Sequence, residues 1–216
     1  MPLDDNAPWR LTRRRRILAA AAQLFAEKPF NAVQVDEVAK SAGIGKATLY
    51  RYFPSKDELY LEVLGEALHG LERRFAEIAA APEPPSAALE RMIRTLVHVL
   101  GEQVASLRLL DGENAALAGR WRSVYRSRRQ AIIDSLRAVL ARGLAAGAFR
   151  NVDLDVTPAF LIGMIRGGLM GVAHLPHDRL ADAAVALVVQ GGLVEQPATA
   201  APPTAAAADR PAVTSS

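Results

Sequence analysis

The spacing of the apolar residues constrains the fold of this chain more than any other feature of its sequence. Apolar positions recur with the period of an α-helix from about residue 12 to residue 194, and no clear strand-like alternation interrupts them. Prolines and glycines stand between these runs, where helices are expected to end. We therefore predict an all-α fold, with three short helices at the N-terminus followed by a larger helical bundle.

Local signals place the helix ends. Pro29 stops the first helix, Gly43 and Gly147 stand where a left-handed residue closes a helix, and Ser55 with Glu58 forms a capping box. Eight helices are predicted in this way, at about 12–27, 35–41, 46–53, from 55 to a stop before Pro82, and at 87–109, 120–146, 158–173 and 179–194.

The chain divides into four predicted regions. Residues 1–11 form a basic arm, and residues 12–54 form a DNA-binding domain with a helix-turn-helix over about 34–53. Residues 55–195 form the bundle, which we expect to bind an effector and to dimerise. Residues 196–216 are rich in alanine and proline, have no apolar face to bury, and are expected to be disordered.

Charge is concentrated at one end of the chain. Residues 1–56 contain ten Lys or Arg and five Asp or Glu, whereas residues 57–216 contain sixteen and eighteen. All four lysines belong to the first group. This distribution predicts that the N-terminal quarter meets an anionic partner.

Several chemical classes are excluded by what the sequence lacks. There is no cysteine, and the four histidines form no HExxH pair. No GxSxG elbow is present either. We therefore predict no enzyme, no metal and no cofactor.

Arg13–Arg16 with the apolar run behind them imitate an export signal, but Gln23 and Glu27 interrupt that run. Arg166 and His174 similarly interrupt the apolar stretch 158–176, so we expect a cytoplasmic protein without a membrane segment.

The segment from Gly43 to Leu59 carries the main functional signal and reads GIGKATLYRYFPSKDEL. A P-loop would need glycine at the position of Lys40 and Ser or Thr at the position of Ala47, so that reading fails. A helix-turn-helix fits, with Gly43 in the turn and with Leu49 and Phe53 on the buried side of the third helix. Its outward arc carries Ala47, Thr48, Tyr50 and Arg51, with Lys46 at the N-terminal end and Tyr52 on the flank.

This outward arc suits a DNA groove. Lys46 and Arg51 match phosphates or a guanine edge, hydroxyl groups match phosphate oxygens, and Ala47 leaves room for a thymine methyl group. Lys56 opposes the dipole of the fourth helix by a few tenths to about 1 kcal/mol, a penalty that a nearby phosphate removes. The alternative is that the tyrosine rings pack on the fourth helix while Arg51 and Lys56 are solvated.

Residues 13–64 resemble the N-terminal domain of TetR-family transcriptional regulators, and GKATLYRYFPSKDEL is the most specific part of the match. The resemblance implies a dimeric, usually repressing, one-component regulator whose third helix enters the major groove. By position, it implies DNA contacts at Lys46, Ala47, Thr48, Tyr50, Tyr52 and Lys56.

Two residues depart from the family pattern. Gln34 stands where Ser or Thr usually caps the second helix and contacts phosphate, and glutamine caps poorly. Asp36 stands where a basic residue is common, and its carboxylate repels phosphate. The basic arm, Arg10 with Arg13–Arg16, either follows the DNA or enters its minor groove, or it is a flexible solubilising tail.

Three glycines in the bundle lie four residues apart, at Gly163, Gly167 and Gly171. Each costs about 1 kcal/mol relative to alanine inside a helix, so a close helix–helix approach is expected to offset the cost. The resemblance implies that the last two helices form a dimer interface, and we favour that over packing against residues 179–194.

The bundle also contains candidates for an effector pocket. Apolar walls with a few polar groups are typical of ligand sites. The candidates are Phe75, Met92, His98, Trp121, Tyr125 and Met164, although each is also a plausible core residue. A stripe of Arg122, Arg126 and Arg129 is interpreted as a solvated face, with an anionic effector as the alternative.

These features lead to one principal hypothesis. The chain is expected to be a transcriptional regulator, a repressor that binds a pseudo-palindromic operator as a homodimer and is released by a largely apolar small molecule. Two alternatives remain at this point. One is a small-molecule-binding helical protein without sequence-specific DNA binding, and the other is a non-specific DNA-binding protein.

Overall fold

The all-α prediction is confirmed. A computed structural model describes residues 8–102, 115–150, 152–172 and 174–193. These residues form eight α-helices, together with a 3-10 turn at Phe30–Ala32 and a π-helical segment, Ala186–Leu193, that continues the last helix. The helices are α1 (Pro8–Glu27), α2 (Val35–Ser41), α3 (Lys46–Tyr52), α4 (Lys56–Ala80), α5 (Pro85–Gly101), α6 (Ala115–Ala145), α7 (Thr157–Gly171) and α8 (His177–Val185).

The start of α1 differs from the prediction. The helix begins at Pro8 rather than near residue 12. Proline is favoured in a first turn because its fixed φ suits a helix and its missing N–H is not needed there. The arginines predicted to form an arm, Arg10 and Arg13–Arg16, are therefore helical rather than part of a flexible tail. Residues 1–7, the predicted helical residues 103–109 and the predicted disordered tail 196–216 lie outside the described residues.

The first three helices share one core with the start of α4. Leu49 of α3 and Phe53 just after it are buried together with Val38 and Ala39 of α2. An aromatic cluster lies beneath them, in which the ring of Tyr60 is 4.7 Å from that of Phe25 and 4.8 Å from that of Phe30. The turn between α2 and α3 passes through Gly43, whose φ of 63° is in the left-handed region as predicted.

Helix α4 connects this unit to the bundle. It packs along α6 and also contacts α1 and α5. Its buried face carries Leu59, Val63, Leu68, Leu71, Phe75 and Ile78. At its far end, Nη1 of Arg142 donates hydrogen bonds to the carbonyls of Ala79 and Ala81, at 2.9 and 3.3 Å. Both ends of α4 are therefore fixed by other elements.

The predicted capping box of α4 forms only in part. The Ser55 hydroxyl accepts a hydrogen bond from the Glu58 amide at 3.1 Å, as expected for the N-cap. The Glu58 carboxylate, which was expected to bind back to Ser55, forms an ion pair with Arg120 of α6 instead. The first turn of α4 is consequently attached to α6.

We predict opposite effects for two glycine-to-alanine changes. Gly43→Ala should lower the free energy of unfolding by about 1 kcal/mol, because an L-residue is strained at positive φ. Gly70→Ala, at a helical glycine whose added Cβ would meet no atom within 4 Å, should raise it by about 0.5–1 kcal/mol. Thermal and urea unfolding at one protein concentration measure both. Equal effects of the two changes would contradict the strained turn.

Candidate nucleic-acid interface and ligand cavity

The outward face of α3 is open. Because Leu49 and Phe53 are buried, the opposite side of the helix carries exposed Lys46, Ala47 and Arg51. Tyr50 is 40% exposed, although it is a large aromatic side chain, and Thr48 is half-buried. The fourth helix does not wall in this face, so its hydroxyl and cationic groups are accessible to a partner.

An ion pair joins the N-terminal ends of α2 and α3. Nζ of Lys46 lies 2.8 Å from Oδ1 of Asp36, and both side chains remain mostly exposed. The hydrogen bond to Asp36 raises the pKa of Lys46. This pair places a carboxylate on the candidate DNA surface and partly neutralises one of its cations, in agreement with the departure from the family pattern at Asp36.

The start of α2 is stabilised from within the helix. Gln34 is exposed, and its backbone amide donates a 3.4 Å hydrogen bond to Oε2 of Glu37. Lys28 binds the same carboxylate at 2.9 Å, and this bond lowers the pKa of Glu37. The Gln34 side chain is therefore located at the surface, near the end of a helix that Glu37 helps to cap.

Tyr52 and Lys56, two further candidates for DNA contact, are less exposed than Lys46, Ala47 and Arg51. The ring of Tyr52 lies under the guanidinium of Arg10, whose central carbon is 5.5 Å from the ring centroid. Nζ of Lys56 lies 4.4 Å from the centroid of Phe30. Partial burial lowers the pKa of Lys56, because it disfavours the ammonium form. Both residues still border the α3 face, on its flank and beyond its C-terminal end.

The five arginines at the start of α1 do not act as one basic strip. Arg14 binds Glu62 of α4 at 2.6 Å, and Nη2 of Arg16 donates to the Gly43 carbonyl at 3.4 Å. These two residues attach α1 to its neighbours. Arg13 stacks on Trp9, Arg10 stacks on Tyr52 and Arg15 is exposed. Arg13 and Arg15 remain candidates for contact with an anion.

A cavity of about 320 Å³ lies between α4, α5, α6 and α7. Of the predicted pocket residues, Trp121 and Tyr125 line it. The other walls were not predicted: Leu68, Leu71, Leu96, Leu100, Arg122, Arg129, Ile132, Ile162 and Arg166. Arg122 and Arg129, interpreted from the sequence as part of a solvated stripe, therefore border a cavity.

Four predicted pocket residues lie outside this lining. Phe75 and Met92 are fully buried in the core, where neighbouring helices cover them. The His98 ring pairs with Asp178 of α8 at 3.2 Å, and Met164 is half-buried against the core. These four side chains therefore do not line this cavity, because helix packing directs them elsewhere.

The three glycines predicted at a dimer interface share an exposed face of α7. A Cβ added at Gly163, Gly167 or Gly171 would meet no atom within 4 Å. The neighbouring Gly168 differs, because its added Cβ would lie 3.1 Å from Leu180 of α8. Packing against described residues of the same chain therefore accounts for Gly168 but not for the other three.

Comparisons with known proteins identify the family. Residues 17–63 match the family model for bacterial regulatory proteins of the tetR family, and residues 82–168 match the model for the tetracyclin repressor-like C-terminal domain. The HTH-type transcriptional repressor KstR2 of Rhodococcus jostii is 31% identical over 160 residues, which cover 74% of this chain and 78% of that protein. The chain belongs to the TetR family. As a TetR-family protein it is a DNA-binding transcriptional regulator.

Solved structures share this TetR fold. FadR from Bacillus subtilis, in complex with stearoyl-CoA, superposes with a TM-score of 0.65 at 20% identity, covering 82% of this chain and 98% of FadR. AibR, in complex with isovaleryl coenzyme A and operator DNA, gives a TM-score of 0.59 at 21% identity over 82% of this chain and 98% of AibR.

Two other kinds of feature are absent from the described part of this TetR-family chain. No helix there is long and apolar enough to cross a membrane. Among the same residues, no group of three or more histidine, aspartate or glutamate side chains is arranged to hold a metal ion.

We predict that Asp36→Asn strengthens binding to DNA of scrambled sequence several-fold. The change removes a carboxylate from the phosphate side and frees Lys46. Because each added phosphate contact releases counterions, the slope of log affinity against log salt should steepen by up to about one per protomer. Fluorescence anisotropy at several salt concentrations measures both quantities.

Glu77→Gln is the matched control, since it removes an exposed carboxylate from the far part of α4. It changes net charge by the same amount and should leave the salt slope unaltered. If the two variants behave alike, the effect belongs to net charge and not to the Asp36–Lys46 pair.

Proposed function

We propose that this regulator represses transcription by binding a pseudo-palindromic operator as a homodimer, with α3 of each protomer in the major groove. A small molecule in the cavity between α4, α5, α6 and α7 lowers its affinity for the operator. The protein acts by binding alone, without catalysis, and in the cytoplasm. The observation that carries this proposal is the open polar face of α3, held outward by buried Leu49 and Phe53.

The DNA contacts are assigned to the side chains on and beside that face. Arg51, Lys46 and the hydroxyls of Thr48 and Tyr50 suit phosphates and base edges, and Ala47 suits a thymine methyl group. Tyr52, Lys56 and Gln34 border the face and are assigned to backbone contacts. A phosphate beside Lys56 would favour the ammonium form that partial burial disfavours.

A homodimer is supported by the exposed apolar surface of α7 and α8. Phe160 is 72% exposed, and it shares one face of α7 with Gly163, Gly167 and Gly171. Leu187, in the continuation of α8, is 62% exposed. Exposed large apolar groups beside backbone that a second helix can approach closely are typical of an interface. Two protomers would also match two half-sites about one turn of DNA apart.

The effector's action is a population shift. A ligand lowers operator affinity only if it binds better to the protomer arrangement that does not fit DNA. The cavity and the DNA surface share α4, which carries Leu68 and Leu71 at the cavity and Lys56 near DNA. FadR is in complex with stearoyl-CoA, and AibR is in complex with isovaleryl coenzyme A and operator DNA, which supports assigning both partners here.

Mobility-shift titration with the DNA upstream of the chain's own coding sequence, beside a scrambled control, tests the proposal at two salt concentrations. We expect the upstream DNA to bind about a thousandfold or more tightly than the control. Equal binding to both would identify a non-specific DNA-binding protein. Binding to neither would identify a helical small-molecule-binding protein that has lost its operator.

Tyr50→Ala should weaken operator binding about tenfold or more while leaving the dimer intact. A hydrogen bond to a charged phosphate contributes roughly 1.5–3 kcal/mol, and each 1.4 kcal/mol is a factor of ten. Tyr50→Phe removes the hydroxyl but keeps the ring, and it should cause most of the loss in operator affinity. Mobility shift and thermal unfolding are measured on the same samples. A variant that unfolds would show that the ring is part of the core.

Gly167→Leu should convert the dimer to a monomer. Its added side chain meets nothing within 4 Å of the Cβ in one chain, but it would obstruct a helix packed on this face. Gly70→Leu is the matched control, at a helical glycine on α4 whose added Cβ is equally free of neighbours. Sedimentation velocity measures both. A Gly167→Leu protein that still sediments as a dimer would place the interface elsewhere.

A further inference from the structure

The cavity has two chemically different sides. Helices α4 and α5 line it with leucines alone, at Leu68, Leu71, Leu96 and Leu100. Helices α6 and α7 contribute three arginines as well, Arg122, Arg129 and Arg166. A guanidinium remains charged at every physiological pH, and Arg122 and Arg166 are exposed while Arg129 is half-buried, so water solvates these charges until an anion binds.

The arginines of α6 divide into two sets. Arg120 and Arg128 each bind a glutamate of α4, so their charge is compensated within the chain. Arg122 and Arg129 form no ion pair with any carboxylate among the residues that the structure describes, and they face the cavity. Their charge is therefore available to a bound molecule.

The spacing of this second set indicates the shape of what they bind. Arg122 and Arg129 are seven residues apart on one helix, which corresponds to two turns and about 10.5 Å along the axis. Trp121 and Tyr125 line the cavity beside them, with ring centroids 6.2 Å apart. The polar side is consequently an extended strip rather than a single point.

We infer that the effector is an anionic amphiphile. Its carboxylate or phosphate oxygens bind Arg122 and Arg129 of α6, for which the guanidinium fork is well matched. Its apolar part lies against the leucines of α4 and α5. The inference rests on the proposed effector role of this cavity and adds the charge, the orientation and the residues that select the ligand. It keeps the expected largely apolar body of the ligand and adopts the anionic alternative that the arginine stripe of α6 left open.

The two tryptophans of the chain allow a direct test. In a Trp9→Phe background, Trp121 in the cavity wall is the remaining fluorophore. Titrations with octanoate, octanoyl-CoA, octanol and free CoA vary the head group and the tail separately. We expect octanoate or octanoyl-CoA to bind about tenfold or more tightly than octanol. Tighter binding of octanoate than of octanoyl-CoA would indicate a carboxylate head group, and the reverse order would indicate a phosphate. The inference would be overturned if octanol bound as tightly as the anions, or if neither octanoate nor octanoyl-CoA bound.

Variants on one helix provide the matched control. Arg122→Gln and Arg129→Gln should each weaken the anionic probe about tenfold or more and leave octanol binding unchanged. Arg129→Lys should restore part of the loss, because it keeps the charge. Arg126→Gln removes an exposed arginine of α6 that does not line the cavity and should have no effect. Equal losses in all glutamine variants would show that only general charge matters, and would also overturn the inference.

Operator release is measured separately, by mobility shift in the presence of each probe. Tight binding of the anion without release would refute the effector role in the proposed function and leave the anion site in place. Release by octanol at the concentration that is effective for the anions would refute the anion site and leave the effector role in place.

Discussion

The function of this protein depends on the anchoring of a helix that is too short to be stable alone. Helix α3 has seven residues, whereas isolated helices in water need roughly 12–15 to be even marginally stable. Its stability therefore comes from Leu49 within the helix and Phe53 at its C-cap, which are buried in the core shared with α2 and α4. Gly43 sets the angle at which α3 leaves α2. Since these contacts occupy one side of the helix, the polar side faces solvent.

The same helix that covers this small core also forms a wall of the ligand cavity. Helix α4 begins beside α3, and its first turn is bound to α6 through Glu58 and Arg120. Arg120 directly precedes Trp121 and Arg122, which line the cavity. A ligand that displaces this turn of α6 would thus act on the beginning of α4. Allosteric coupling typically amounts to about 1–3 kcal/mol, so a few contacts of this kind are enough to carry it.

Local signals allowed the DNA-binding end to be predicted, and non-local packing limited the rest. The glycine at the turn and the placement of Leu49 and Phe53 on one side of α3 are local features, which the sequence displays directly. The cavity depends on four helices distant in sequence. Periodicity places Met92 on an inward helix face but does not distinguish a core position from a cavity wall. It likewise places Arg122 and Arg129 on one face of α6 without showing which part of the fold that face contacts. The site assignments on α3 and α7 remain predictions.

The charges on the candidate DNA surface favour discrimination between operator and non-specific DNA over high affinity for DNA in general. Asp36 compensates part of the charge of Lys46. This ion pair weakens attraction to phosphates, which is the same for every DNA sequence. Contacts to base edges are not weakened in proportion, because they depend on geometry. Competing non-specific sites vastly outnumber operators in a genome, so occupancy depends on the ratio of the two affinities rather than on either alone. Under the proposed function, a DNA surface of restrained positive charge raises that ratio.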